Sequence, residues 1–257
     1  MLIVHERHDH VEVLTLNRPE AANSLSPALL GELGAALEHA LDDPHIRVVV
    51  LTGAGDRVFC AGMDLNSLGE FGSEAERAAA PGAAALAAFM DDGTYAKPVV
   101  AAVNGAAVGG GLELVMSCDI AIAAEHARFG LPEVKRGLFA AGGGTLLSTR
   151  IPAAFALEYG LTGRLFDALR AAEIGLVNHV VPASDVLEKA IELATEIAAN
   201  GPLGVQLTKR LMRGAVNQGA AAGRATPEQV AVVFGSADAV EGATAFVEKR
   251  PPNFTGR

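Results

Sequence analysis

Three short runs of uninterrupted apolar residues, Val48-Val49-Val50-Leu51, Val99 to Val103 and Ile120 to Ala123, constrain this chain more than any other feature. Short apolar runs bounded by turn residues are the pattern of strands buried on both faces. The first run ends at Thr52-Gly53 and the second at Asn104-Gly105, and helix-like segments separate them. Strands alternating with helices require parallel crossovers, so the fold class is α/β.

The flanking segments fill in the order of elements. Val11 to Leu16 alternates as VEVLTL and, with Leu2 to Val4, predicts an opening pair of strands near a sheet edge. Ser26-Pro27 followed by Leu29, Leu30, Leu33, Leu37 and Leu41 has a capping Ser, a first-turn Pro and helical spacing. A helix-like segment runs from Ser73 to Met90, with an Ala/Gly-rich patch at Ala78 to Ala88. Beyond residue 142 the pattern turns helical: Thr145 to Ile151, Ala153 to Leu161, Val186 to Ala199, Leu203 to Met212 and Val240 to Lys249. The expected organisation is a core over residues 1–198 and a helical C-terminal region over 199–257.

Composition excludes several classes of function. The net charge is −10 and no basic run exceeds a pair such as Lys135-Arg136, against a nucleic-acid surface. Cys60 and Cys118 are too few and too far apart for a disulfide framework or a zinc site, so no metal is expected and a reducing cytoplasm fits. The most apolar region, Pro98 to Ala124, is interrupted by Asn104, Glu113, Ser117 and Asp119, whereas a membrane span needs about 20 apolar residues with few charges. The N-terminus MLIVHERHDH lacks the apolar core of a secretory signal, and a soluble protein is expected.

Chemistry is carried by a few loops. Gly53-Ala54-Gly55-Asp56-Arg57-Val58 follows a strand, but it lacks the third glycine and the following helix of a dinucleotide fingerprint. No nucleophile elbow, phosphate loop or H-E-x-x-H motif occurs, and His5, His8 and His10 lie on a strand expected at the surface. Gly109-Gly110-Gly111-Leu112-Glu113 reads as a tight loop opening a helix, whose unpaired N–H groups can hold an oxyanion. Glu113 follows Gly110 by one helical turn, where a carboxylate has two uses: helix-dipole compensation, or chemistry in an apolar setting. Glu133 sits in the proline-set turn Phe129-Gly130-Leu131-Pro132-Glu133, where it serves either chemistry or a surface pair with Lys135 or Arg136. Phe59-Cys60-Ala61-Gly62-Met63-Asp64-Leu65 is a glycine-bearing loop after a strand, and loops at the carboxyl ends of parallel strands converge on one crevice. The backbone N–H groups of Met63 and Gly110 are thereby two candidate donors to one carbonyl oxygen.

These stretches, with Asn17-Arg18-Pro19, Asn23, Cys118-Asp119, Leu161-Thr162-Gly163, Ala172 to Val177 and Phe246 to Arg250, closely resemble the crotonase superfamily, and within it the enoyl-CoA hydratases. The likeness spans the whole chain. It implies a crotonase-type spiral of ββα units, a helical C-terminal region used for trimerisation, and a homotrimer or a hexamer of two trimers. It implies a coenzyme A thioester as substrate, with no separate cofactor, no nucleic acid and no membrane.

The resemblance also implies roles for individual residues. Met63 and Gly110 form the oxyanion hole. Glu113 and Glu133 are the catalytic pair that holds a water, with Glu133 the donor to the α-carbon and Glu113 the positioner and partner base. Ala22 and Ala61 line the adenine and pantetheine path, and Asp64, Leu65, Gly109, Pro132 and Lys249 complete the substrate contacts. Glu20 and Asn66 stand where many hydratases carry lysines near the coenzyme phosphates, so Lys249 and Arg250 are the candidates for that contact. The segment from Leu68 to Met90 shapes the acyl pocket in the family. Retention of both glutamates implies hydration of a 2-trans-enoyl-CoA; an isomerase, a dehydratase or a non-catalytic acyl-CoA-binding member are the alternatives.

Overall fold

The computed structural model describes residues 1–70, 72–90, 93–219, 221 and 223–257; Phe71, within the expected acyl-pocket segment, lies outside the described residues. The strands are β1 (Ile3–His8), β2 (Val11–Leu16), β3 (Val48–Gly53), β4 (Val58–Cys60), β5 (Val99–Val103), β6 (Ala106–Val108), β7 (Ile120–Ala124), β8 (Arg128–Gly130), β9 (Phe166–Asp167) and β10 (His179–Val181). The helices are α1 (Pro27–Asp42), α2 (Glu74–Ala78), α3 (Ala83–Met90), α4 (Gly110–Ser117), α5 (Ala153–Thr162), α6 (Ala168–Glu173), α7 (Val186–Ala198), α8 (Pro202–Gln218), α9 (Pro227–Phe234) and α10 (Ala237–Glu248).

Two sheets organise the core. The larger runs in the order β1-β2-β3-β5-β7-β10 and the smaller in the order β4-β6-β8-β9. Each of β3, β5 and β7 lies in the larger sheet, and the strand after it, β4, β6 or β8, lies in the smaller. Repetition of this step, with parallel pairing of β3 to β5 and β5 to β7, winds the chain into a spiral of ββα units. The apolar runs that predicted buried strands are buried along their length in β3 and β5. The expected α/β class and spiral are the observed ones.

Several sequence expectations change in detail. The alternation of VEVLTL does not mark an open face: Glu12 is buried at 5% exposure and its Oε1 lies 2.9 Å from His5 Nδ1 on β1. The single helix expected from Ser73 to Met90 is two, because Pro81-Gly82 interrupts it; Gly82 has φ +74° and lies against the backbone of Gly34 in α1, so no side chain fits there. Thr145 to Ile151 is not an α-helix but a 3-10 turn over Gly144–Thr149, whose first residue is drawn towards Glu113 by a hydrogen bond. The short strands of the smaller sheet and helices α6 and α9 have no counterpart in the sequence reading, since two or three residues give no period to detect.

The C-terminal helices differ from the core in packing. Helix α7 rests on the larger sheet and buries Val186, Ala190, Ala194 and Ala198. No residue of α8 or α9 is buried, and α10 buries Asp238 and Ala245. Polar contacts tie α8 to the core: Asp119, just beyond α4, accepts from Lys209 Nζ at 2.7 Å and from Arg213 Nη2 at 2.9 Å. Among the described residues no single helix is long and apolar enough to cross a membrane.

Candidate active site

Helix α4 is apolar nearly all round, with Leu112, Leu114, Val115 and Met116 buried, the signature of a helix enclosed in the core. Glu113 is the one charged residue in it and is itself 7% exposed. Gly109, immediately before the helix, has φ +58° and ψ −127°, a conformation reserved for glycine, and it offers no side chain to cap the first turn. The helix N-terminus is therefore left open to an external acceptor.

The second loop meets it there. Leu25 N–H donates to the Gly62 carbonyl and Asp64 N–H to the Leu25 carbonyl, a parallel bridge centred on Met63. In such a bridge the middle residue turns its own N–H to the opposite side. A Cβ placed on Gly110 would lie 3.5 Å from the Met63 nitrogen, so the two backbone groups are neighbours. Gly110 opens α4 and has no intrahelical acceptor for its N–H. The predicted pair of donors is brought together.

Both carboxylates adjoin glycines. Glu113 Oε1 accepts from Gly144 N–H at 2.8 Å, in a buried hydrogen bond. Glu133 sits in the 3-10 turn Pro132–Arg136, and a Cβ on Gly109 would come within 3.0 Å of its Oε1. Its Oε2 is buried and has no hydrogen-bond partner among the described residues. A buried carboxylate oxygen without a donor is costly, unless a ligand or water completes it. Glu133 thus faces the Gly109–Gly110 loop rather than the surface pair with Lys135 or Arg136.

The matching pattern decides the family. The sequence pattern described as enoyl-CoA hydratase/isomerase covers residues 6–257 of this chain. The chain belongs to the enoyl-CoA hydratase/isomerase family. It is 40% identical to an enoyl-CoA hydratase of Mycobacterium tuberculosis over 98% of this chain and 96% of that protein. It is 38% identical to a 2,3-dehydroadipyl-CoA hydratase of Escherichia coli, over 99% of each chain. An enoyl-CoA hydratase crystal structure from Bacillus anthracis covers 100% of both chains with a TM-score of 0.87 at 38% identity.

Within this family member the other predicted contacts are placed as follows. Ala22 and Ala61 are joined, Ala61 N–H donating to the Ala22 carbonyl at 3.0 Å. Leu65 is half exposed and Pro132 half buried beside the two loops. Asp64 turns its carboxylate to Arg18, at 3.0 Å, and the guanidinium holds that carboxyl below its ordinary value. Lys249 ends α10 in a left-handed turn, on the C-terminal region rather than on the loops that carry the glutamates. Arg250 is engaged by Glu241 at 2.6 Å and by Glu248 at 2.6 Å, so its charge is already matched.

Sequence reading missed the run Gly142-Gly143-Gly144, which supplies the donor to Glu113. The signal was present as three consecutive glycines. Asn23, read from the sequence only as part of a motif, has a side chain that accepts from Arg18 N–H and donates to the Ala54 and Val58 carbonyls, tying the first loop to the edge of the site.

Proposed function

We infer that this protein adds water to a 2-trans-enoyl-CoA thioester to give the 3-hydroxyacyl-CoA. The observation that supports this best is the pairing of two glycine-flanked carboxylates, Glu113 and Glu133, with the neighbouring N–H groups of Met63 and Gly110. The thioester oxygen accepts from both N–H groups, which stabilise the negative charge that develops on it as the enolate forms. Water held by the glutamates adds its oxygen to the β-carbon and surrenders a proton to Glu113. Glu133 delivers a proton to the α-carbon, and the enolate collapses to the saturated thioester. The acid and base roles of the two carboxyl groups are exchanged in the reverse direction.

The rest of the reading follows from this substrate. Coenzyme A enters as part of the substrate, and no further cofactor or metal takes part. Ala22, Ala61, Leu65, Gly109, Pro132 and the backbone at Asp64 border the thioester path, with Lys249 reaching coenzyme phosphates from the C-terminal region, residues 199–257. Exposed apolar residues on α5 (Leu157, Leu161) and on α9 and α10 (Phe234, Phe246, Val247) support a homotrimer or a hexamer of two trimers; the cytoplasm is the proposed location.

The test is to follow the conjugated enoyl absorbance of crotonyl-CoA with pure protein. Hydration removes it, and Glu113→Gln and Glu133→Gln each lower the rate by about 10²–10⁴-fold. An absorbance rise with a 3-enoyl-CoA, together with inertness towards crotonyl-CoA, would replace hydration with isomerisation. Binding of coenzyme A esters without turnover of either would leave a non-catalytic member.

A further inference from the structure

The contacts around Glu113 point to a role for the glycine run Gly142–Gly144. Gly144 N–H donates to Glu113 Oε1 at 2.8 Å, and this bond is buried. The surroundings of the turn are as close as the bond itself. A Cβ on Gly142 would stand 2.5 Å from Glu113 Oε2 and 3.2 Å from its carboxyl carbon. A Cβ on Gly144 would stand 3.0 Å from Glu113 Oε1 and 2.4 Å from the Ala140 Cβ. The carboxylate therefore lies flush against two backbones that carry no side chain.

We propose that the Gly142–Gly144 turn is the positioning element for hydration, with Gly144 as its donor and Gly142 as its stop, fixing the rotation and depth of the Glu113 carboxylate. The inference rests on the hydratase reading and deepens it. A long side chain such as glutamate has three rotatable bonds, and Glu113 is buried at 7% exposure, so contacts at its carboxylate end bear on the outer torsions. The hydrogen bond at Oε1 sets the last, and so aims the plane of the carboxylate. The donor is a main-chain N–H, placed by the path of the turn rather than by a side-chain rotamer. Its consequence is a division of labour: Gly110 and Met63 orient the thioester, and Gly144 orients the group that handles the water.

Positioning residues act on turnover more than on binding, since a reacting group displaced by about 1 Å can cost 10²-fold in rate. The variants are Gly142→Ala, in which the new methyl pushes the end of a flexible side chain, and Gly144→Ala combined with Ala140→Gly. The second change removes the 2.4 Å contact that would otherwise threaten the fold. With crotonyl-CoA, both are expected to lower kcat by about 10- to 100-fold. KM stays within about threefold, because the oxyanion hole is untouched. Placed in the Glu113→Gln background and assayed at high enzyme concentration, Gly142→Ala costs nothing further, as the group it displaces no longer reacts. Unchanged kcat, a loss confined to KM, or losses that multiply in the double variant would each overturn the proposal.

A crystal structure of Gly142→Ala separates this inference from the hydratase reading. If wild-type protein fails to hydrate crotonyl-CoA, that reading falls; a Glu113 carboxylate shifted by the alanine still supports positioning by the turn. A carboxylate left where it stands in the wild type sinks the positioning role whatever the reaction.

Discussion

Gly109 and Glu133 come from different turns of the spiral, yet a Cβ on the first would stand 3.0 Å from Oε1 of the second. The glycine just before helix α4 is thus also the wall against which one carboxylate rests. Gly109→Ala meets two obstacles at once, the contact and a backbone conformation at φ +58° that an L-residue adopts only under strain. Such strain costs about 1–3 kcal/mol. The variant should melt several degrees lower and hydrate crotonyl-CoA far more slowly; an active variant with an unchanged melting point would refute the relationship.

Asp119 joins α8 to the core through Lys209 and Arg213, and it also accepts from Val99 N–H. Burial pulls the Lys209 ammonium below its ordinary value while Asp119 pushes it back up. Asp119→Ala leaves buried cations without a carboxylate and should destabilise by about 3–5 kcal/mol. Urea unfolding followed by circular dichroism measures it. The double variant Asp119→Ala/Lys209→Met should be less destabilised than Asp119→Ala alone, and additive losses would count against the pairing.

Burial pushes the thiols of Cys60 and Cys118 up to about 12. Neither is a nucleophile at neutral pH, because the thiolate is the reactive form. A chromogenic disulfide reagent at pH 8 should leave the native protein unlabelled and titrate two thiols after denaturation. Rapid labelling of the folded protein would show that one of these sites opens.

Arg250 lowers the Glu241 carboxyl from 4.5 to about 2. A depressed folded-state value stabilises above the unfolded-state value, and that contribution fades as pH falls from about 4.5 towards 2. The difference in melting temperature between wild type and Glu241→Gln should hold steady from pH 7 to pH 5 and narrow below about pH 4.5. A gap that widens on acidification would contradict the assignment.

How much of this was legible beforehand depends on the length over which a pattern repeats. The buried strands β3, β5 and β7 announced themselves as unbroken apolar runs of four or five residues, and helix α1 by its helical spacing. So did the loops holding Met63 and Gly110, whose glycines mark close backbone approach. The strands β4, β6 and β8 did not, although they build the floor on which those loops stand; three residues hold no period. Gly144 escaped for another reason. Its contribution is a main-chain N–H aimed at a side chain 31 positions earlier in the chain, and no local pattern encodes that meeting. Asp64 shows the converse: its motif was plain, but the partner that claims its carboxylate, Arg18, is fixed by the tertiary fold.

The proposed oxyanion-hole donors are main-chain atoms of Met63 and Gly110, and every residue type except proline supplies the same N–H. Side-chain replacement at Met63 therefore leaves this half of the site chemically intact, so an alanine scan would pass over it in silence. The part of the chemistry that side-chain substitution can change is the carboxylate half. A duplicated copy of this gene is thus free to trade Glu113 or Glu133 for other groups and explore new reactions of thioester enolates, while the apparatus that tolerates the enolate is handed down by the backbone alone.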